Sequence, residues 1–445
     1  MTAAGRAATA TRTAPAGRSP LAHEHRLTEL DSGVRIVTEA MPSVRSVSLG
    51  YWIGTGSRAE TDEQAGLSHL LEHLLFKGTA RFESQEIDEI FDAMGAEINA
   101  GTGKETTSVY SRVIDDHLER AFDVMSDMVW APRLDDVDSE REVILEEIAM
   151  YEDDPQDKIF DVLGEAVFGS HPLGRAIIGR AQVVAETPVP EIRAFHAGRY
   201  VPKNIVIAAA GAVDHDALVE MARARIPESD PTRPLAIASE PALELVPRLR
   251  FERKDTEQYH VSLGAPGLAR DDQRRFALRV LDTIFGGTSS SRLFQEVREK
   301  RGLAYSIYSF SGQYADTGQV GVYVGTRAEN LSAALEVVAV ELERLRREGP
   351  SVAELERAKD NLRGRMVLAL ESTGARMNRL GSSLLTNVPL LTVDEAVAAV
   401  EAVTLEDVTA LAGELYDPAR ISGAGIGPEE SAFRTAVAPV GGVLA

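Results

Sequence analysis

The sequence contains no cysteine in 445 residues, only 6% aromatics, and fewer basic than acidic residues, 47 against 69, for a net charge of −22. Without cysteine there is no disulfide framework, no thiolate zinc or iron–sulfur site and no thiol nucleophile. Any metal must therefore be held by histidine and carboxylate groups. No apolar run approaches the roughly 20 residues a membrane-spanning helix needs, so no membrane association is expected. The acidic balance repels phosphate backbones and anionic lipid, which argues against nucleic acid as a partner and favours basic substrates. The rest is ordinary for a globular chain: 44% hydrophobic and 26% charged residues, in a length that suits about three average domains or two large ones.

Residues 1–25 carry Ala, Thr, Arg and Pro with a single acid, Glu24, and lack the apolar core of a secretory signal. They read as a disordered, solvated tail, and a cytoplasmic location is expected. Beyond them β-type runs alternate with helical patterns. Strands are predicted at 35–39, 47–53, 106–113 and 204–210, and helices at 64–76, 86–94, 116–129 and 138–151. Pro227, Pro231, Pro234, Pro241 and Pro247 then mark a linker over 227–250. After it the order begins again, with strands at 259–263, 304–310 and 320–324 and helices at 271–285, 331–347 and 352–370. The fold class expected is α+β, with an internal duplication: one sandwich domain at 26–226 and a homologous one at 251–445. Gly78-Thr79 and Gly287-Thr288 lie 209 apart, and Glu140-Arg141 and Glu356-Arg357 lie 216 apart, a drift that a few loop insertions explain.

The chemistry concentrates in Gly66-Leu67-Ser68-His69-Leu70-Leu71-Glu72-His73-Leu74-Leu75-Phe76. On a helix His69 and His73 stand at i and i+4, so both imidazoles leave one face about a turn apart, as two nitrogen ligands of one zinc would. Glu72 borders that face and can serve as general base towards a water that a metal activates. The order is the inverse of the common metalloprotease helix motif. Leucines nearly all round this helix imply burial, and buried imidazoles need partners. Two histidines do not hold zinc tightly, so a third ligand must come from elsewhere. The acidic helix at 138–151 offers several carboxylates. Glu140 and Glu147, two turns apart, share a face on which Val143 and Ile144 are expected to turn inward, leaving Glu142 and Glu146 to solvent. Spacing alone does not choose among them.

Taken together, His69-x-x-Glu72-His73 and, 74 residues after His73, Glu147 within Glu140-Arg141-x-x-x-x-Glu146-Glu147 resemble the pitrilysin/insulinase-type zinc peptidases. The likeness is to the smaller two-domain branch that includes mitochondrial processing peptidase and its bacterial relatives, and it extends over nearly the whole chain after the tail. The resemblance implies one zinc per chain on His69, His73 and Glu147, with Glu72 as base and Glu140 in support. Asn99-Ala100 followed by Glu105-Thr106 resembles the family's edge strand, against which a substrate peptide is laid as an extra strand. Arg298 and Tyr305 stand where the family's substrate-contacting Arg and Tyr stand. They would hold a substrate carbonyl and donate to the developing oxyanion, respectively.

At the repeat offsets, His69, Glu72 and His73 fall on Leu278, Leu281 and Asp282, and Glu147 falls on Arg363. The second copy thus cannot bind zinc in this way, and the resemblance implies that it is an inactive domain completing half of a clamshell chamber around peptide substrates. Some members of the family divide the zinc residues and the substrate-contacting elements between two chains; as both sets occur here, the resemblance implies a homodimer with two composite sites. The remaining histidines read as structural or surface residues. Gly286-Gly287-Thr288 reads as a helix-terminating loop and not a phosphate cradle. The function expected is a zinc-dependent metallo-endopeptidase acting on short or unfolded, and basic, peptides. The competing reading, a non-catalytic scaffold or peptide-binding subunit of the same fold, gives no reason for Glu72 beside intact ligands.

Overall fold

Eleven strands among the described residues form two sheets, and the second repeats the first. The computed structural model describes residues 25–232, 235 and 241–444, so the tail up to residue 24 and part of the linker lie outside the described residues. The first sheet holds β1 (His25–Glu29), β2 (Arg35–Ala40), β3 (Ser46–Ile53), β4 (Glu97–Thr102), β5 (Thr107–Ile114) and β6 (Ile205–Gly211), in the order β1-β2-β6-β3-β5-β4. The second holds β7 (Leu249–Arg253), β8 (Gln258–Gly267), β9 (Ser306–Gln313), β10 (Gly318–Arg327) and β11 (Ser422–Gly427), in the order β7-β11-β8-β10-β9. Apart from the additional β1, the two match strand for strand. In each, one pair is parallel, β2 with β6 and β7 with β11, and the rest are antiparallel. Leu49 and Tyr51 on β3 and Val261 and Leu263 on β8 face the two main cores. Their spacing of 212 lies within the range the repeated dipeptides gave.

Sequence pattern explains which strands lie where. β6 (IVIAAAG) is buried at every position, as a central strand covered on both faces must be. β5 alternates buried and more exposed positions, and β4 ends the sheet with none of its residues buried. No helix among the described residues is long and apolar enough to cross a membrane.

One face of each sheet is covered by helices of its own half. The other face is covered by a helix from the opposite half. Ile159, Leu163 and Val167 of the Pro155–Phe168 helix pack on Tyr323, Ala424 and Ile426 of the second sheet. In return, Met377 and Leu380 of the Thr373–Leu385 helix pack on Val37, Val206 and Ala208 of the first. This second contact is clamped by Glu39 of β2, whose two carboxylate oxygens accept from Arg376 and, at 2.7 Å, from Arg379. It is also close: a Cβ on Gly381 would lie 2.1 Å from the Trp52 ring.

The motif helix is shorter than its periodicity suggests, Leu67–Leu74 instead of 64–76. Gly66 adopts φ +106, and Gln64 belongs to a separate short turn, Asp62–Gln64. The left-handed residue breaks the helical path, and glycine accommodates it without a side-chain penalty. The N–H groups of Gly66 and Ser68, buried and without a partner within the helix, donate to the buried Glu60 carboxyl at 2.9 and 2.7 Å.

Candidate metal centre

Leu67, Leu70, Leu71 and Leu74 are all fully buried, which locks the motif helix into the first core and fixes the direction of its polar face. From that face His69 and His73 meet Glu147 of the Val137–Asp153 helix, with ligand atoms of all three within 4.8 Å of one another. Glu147 Oε2 stands 3.8 Å from His69 Nε2 and 3.5 Å from His73 Nε2. These gaps are too long for hydrogen bonds, and close to the about 3.3 Å that separates ligand atoms on a tetrahedral ion with zinc-length bonds. Two imidazoles and a carboxylate are a donor set that suits zinc.

The imidazoles are prepared for this. Burial, with the neighbouring His73, pushes His69 down to about 4, so at neutral pH it is uncharged and keeps a free lone pair. His73 Nδ1 bonds Glu140 Oε1 at 2.8 Å, while the other Glu140 oxygen receives Lys77 Nζ at 2.7 Å. Burial acts to raise Glu140, but its bonds to Lys77 and His73 outweigh that and hold it below the usual carboxylate range. An anionic Glu140 keeps the His73 proton on Nδ1 and turns Nε2 towards Glu147. Glu140→Gln is expected to weaken zinc binding by about 10- to 100-fold. Competition against a chromophoric chelator would measure this, and an unchanged affinity would remove Glu140 from the orienting role.

Glu72 accepts a 2.5 Å hydrogen bond from Thr102 Oγ1. Burial raises its pKa and the Thr102 hydroxyl opposes the rise, so it is a carboxylate whose affinity for a proton exceeds that of an exposed glutamate. With His69 and Glu147 it lines a cavity of about 480 Å³ whose walls include Thr102, Lys104, Tyr151, Phe160, Asp161, Tyr314 and Gln319. The cavity therefore takes residues from both halves of the chain.

The other anticipated residues fall in two places. Asn99 and Ala100 lie on β4, which pairs with β5 alone and so leaves its outer edge without a neighbouring strand. Arg298 and Tyr305 are not at the metal cluster. They line a separate cavity of about 320 Å³ beside Gly286 and Gly287, with the Arg298 guanidinium 4.4 Å over the Tyr305 ring and Tyr305 79% exposed. On the acidic helix Ile144 is buried and Glu142 and Glu146 are exposed as expected, but Val143 is 49% exposed instead of turned inward. Among the other histidines, His215 is buried between Thr28 and Thr38, and His196 and His260 are buried with partners in the fold. Thr102, Lys104, Asp161 and Tyr314 went unread because nothing in their local sequence links them to the motif helix. The only signal was the place of Thr102, two residues past Ala100 on the edge strand.

Residues 35–181 match the family described as insulinase (peptidase family M16), and residues 189–362 match its partner, the peptidase M16 inactive domain. An uncharacterized zinc protease of Streptomyces coelicolor is 46% identical over 398 residues, covering 88% of this chain and 87% of that protein. The chain belongs to peptidase family M16. Another similar M16-type protein is an uncharacterized zinc protease of Bacillus subtilis, 40% identical over 387 residues, covering 86% of this chain and 94% of that protein. A crystal structure of a protease from Helicobacter pylori shares the fold, with a TM-score of 0.83 at 23% identity over 91% of this chain and 99% of that one. The M16 inactive-domain match contains Leu278, Leu281 and Asp282, which lie 209 positions after His69, Glu72 and His73. Among the described residues, His69, His73 and Glu147 form the metal-donor cluster, and it lies in the first half.

Proposed function

We propose that this M16 chain is a zinc-dependent endopeptidase that hydrolyses short or unfolded peptides. The observation that carries the reading is Glu72, a partly buried carboxylate held by Thr102 beside three convergent ligands on the wall of an open cavity. His69, His73 and Glu147 would hold the metal, and a bound zinc supplies Lewis acidity towards a peptide carbonyl and towards water. Glu72 takes the proton of the attacking water as the C–O bond forms, then returns it to the amide nitrogen as the C–N bond breaks. The free edge of β4 at Asn99 and Ala100 suits an extended peptide added as a further strand, which favours unfolded substrates over folded ones. The net charge of −22 over the chain supports a preference for basic peptides.

A homodimer extends this reading. Arg298 and the exposed Tyr305 sit away from the metal cluster of their own chain, as they would if the second half of one chain served the zinc domain of another. The test is cleavage of an internally quenched peptide by purified protein. Turnover should vanish with a chelator and return with zinc, and sedimentation should read a dimer. Peptide cleavage that persists after complete metal removal would overturn the proposal, as would a zinc-loaded protein that cleaves no peptide.

A further inference from the structure

The turn between β4 and β5 touches more of the site than any anticipated residue does. Its first member, Thr102, holds Glu72. Lys104, largely buried, lines the metal-site cavity and donates to the Arg175 carbonyl. The next residue, Glu105, points the opposite way, into the second half. Its Oε1 accepts from Arg58 Nη1 at 2.8 Å and from the backbone N–H of Ala315 at 3.0 Å, and its Oε2 accepts from Arg270. Arg58 also grips Asp316 through two bonds of 2.7 and 2.9 Å, and Arg270 donates to the Gln313 carbonyl at 3.3 Å. The Glu105 side chain is 13% exposed and that of Arg58 11%, so this pair is largely desolvated, and removing one side of it is costly; Asp316, at the end of this series of charges, is half in solvent.

The backbone is tied equally tightly. Ser57 N–H donates to Gly103 O and Arg58 N–H to Lys104 O, at 3.2 and 2.7 Å. A Cβ on Gly56 would lie 2.3 Å from Gly103 O, so the two segments touch directly. On the other side, Tyr314, next to Ala315 in the β9–β10 connection, forms part of the cavity wall opposite Thr102 and Lys104. One carboxylate thus joins the two lips of the cavity.

We infer that Glu105 is a positioning residue: it docks the β9–β10 connection of the second half onto the turn that carries Thr102, and through Thr102 sets Glu72. This rests on the peptidase reading for its consequence in turnover, but not for the coupling itself. The second half, which holds no metal-donor cluster among the described residues, then contributes to catalysis by fixing the base.

The experiment compares full-length wild type, Glu105→Gln, Thr102→Val and the double variant. In Glu105→Gln, kcat should fall by about tenfold with KM and zinc content little changed, since small displacements of a reacting group carry that scale of cost. If Glu105 acts through Thr102, adding Glu105→Gln to Thr102→Val should cost less than about twofold, whereas independent sites would multiply their losses. Hydrogen exchange supplies a readout free of activity: residues 101–106 and 313–317 should both exchange faster in Glu105→Gln. Multiplicative losses, or acceleration in one segment only, would overturn the inference. If zinc-loaded wild type cleaves nothing, the peptidase reading fails, and the exchange data alone decide the coupling. Should Glu105→Gln fold poorly, Arg270→Met removes the partner from its more exposed end, with Arg270→Lys expected to restore most of the loss.

Discussion

Glu72→Gln is expected to lower peptide turnover by about two to four orders of magnitude while the zinc content stays that of wild type. The amide keeps the shape of the carboxylate and can still accept from the Thr102 hydroxyl, so the local structure has no reason to move. It cannot take a proton from water at neutral pH. The three ligand atoms belong to other residues, so the metal remains. Parallel measurement of kcat and of zinc per chain separates loss of the base from loss of the metal. A variant that turns over like wild type would assign the proton to another group and leave Glu72 without its role.

The second large effect concerns folding. Glu39 is 1% exposed on β2 and pairs with Arg376 and Arg379 across the contact between the first sheet and the Thr373–Leu385 helix. Glu39→Ala removes the carboxylate and leaves Arg376, itself buried, facing an apolar interior without a counter-charge. Breaking one side of a buried pair in this way costs about 3–5 kcal/mol, far more than the pair contributes relative to well-packed apolar residues. It should appear as a lower denaturant midpoint, with exchange rising first in residues 373–385. A loss below about 1 kcal/mol would mean that the pair behaves like an exposed one.

Much of this was legible in the sequence because the features are local. Strand alternation and helical periodicity place β2, β3, β5, β6 and the Ser84–Ala93, Leu118–Trp130, Arg275–Phe285 and Leu331–Glu348 helices to within a few residues. The His215–Arg225, Leu405–Leu415 and Glu430–Val437 helices, packed on their own sheets, were not anticipated. The His69, Glu72 and His73 group could be read from spacing alone. Glu147, 74 residues further on, could be chosen from its acidic neighbours only by resemblance to a family. Val143 misled for a physical reason. Its neighbours Ile144 and Leu145 take the core-facing side of this turn, and Val143, one position before them, is left half in solvent. The Pro155–Phe168 and Thr373–Leu385 helices were missed altogether, although Asp154 caps the first through the N–H of Gln156 at 2.8 Å and Pro155 opens it. Their partners lie in the other half of the chain, and no pattern within a window of sequence reports that. Thr102 shares this difficulty, and Glu105, visible in the edge-strand pattern, acquires its partners Arg270 and Ala315 only far along the chain.

The exchange of those two helices also bears on how such a chain arose. A single copy of either half, standing alone, would present one bare sheet face and one helix with no surface to cover. Two identical copies would satisfy both needs by trading helices, as a domain-swapped dimer does. Joining their ends through a proline-rich tether converts that dimer into one polypeptide and frees the copies to diverge. The ancestral partnership would then survive as an interface that each half still needs: cutting the tether should leave the two fragments bound to each other.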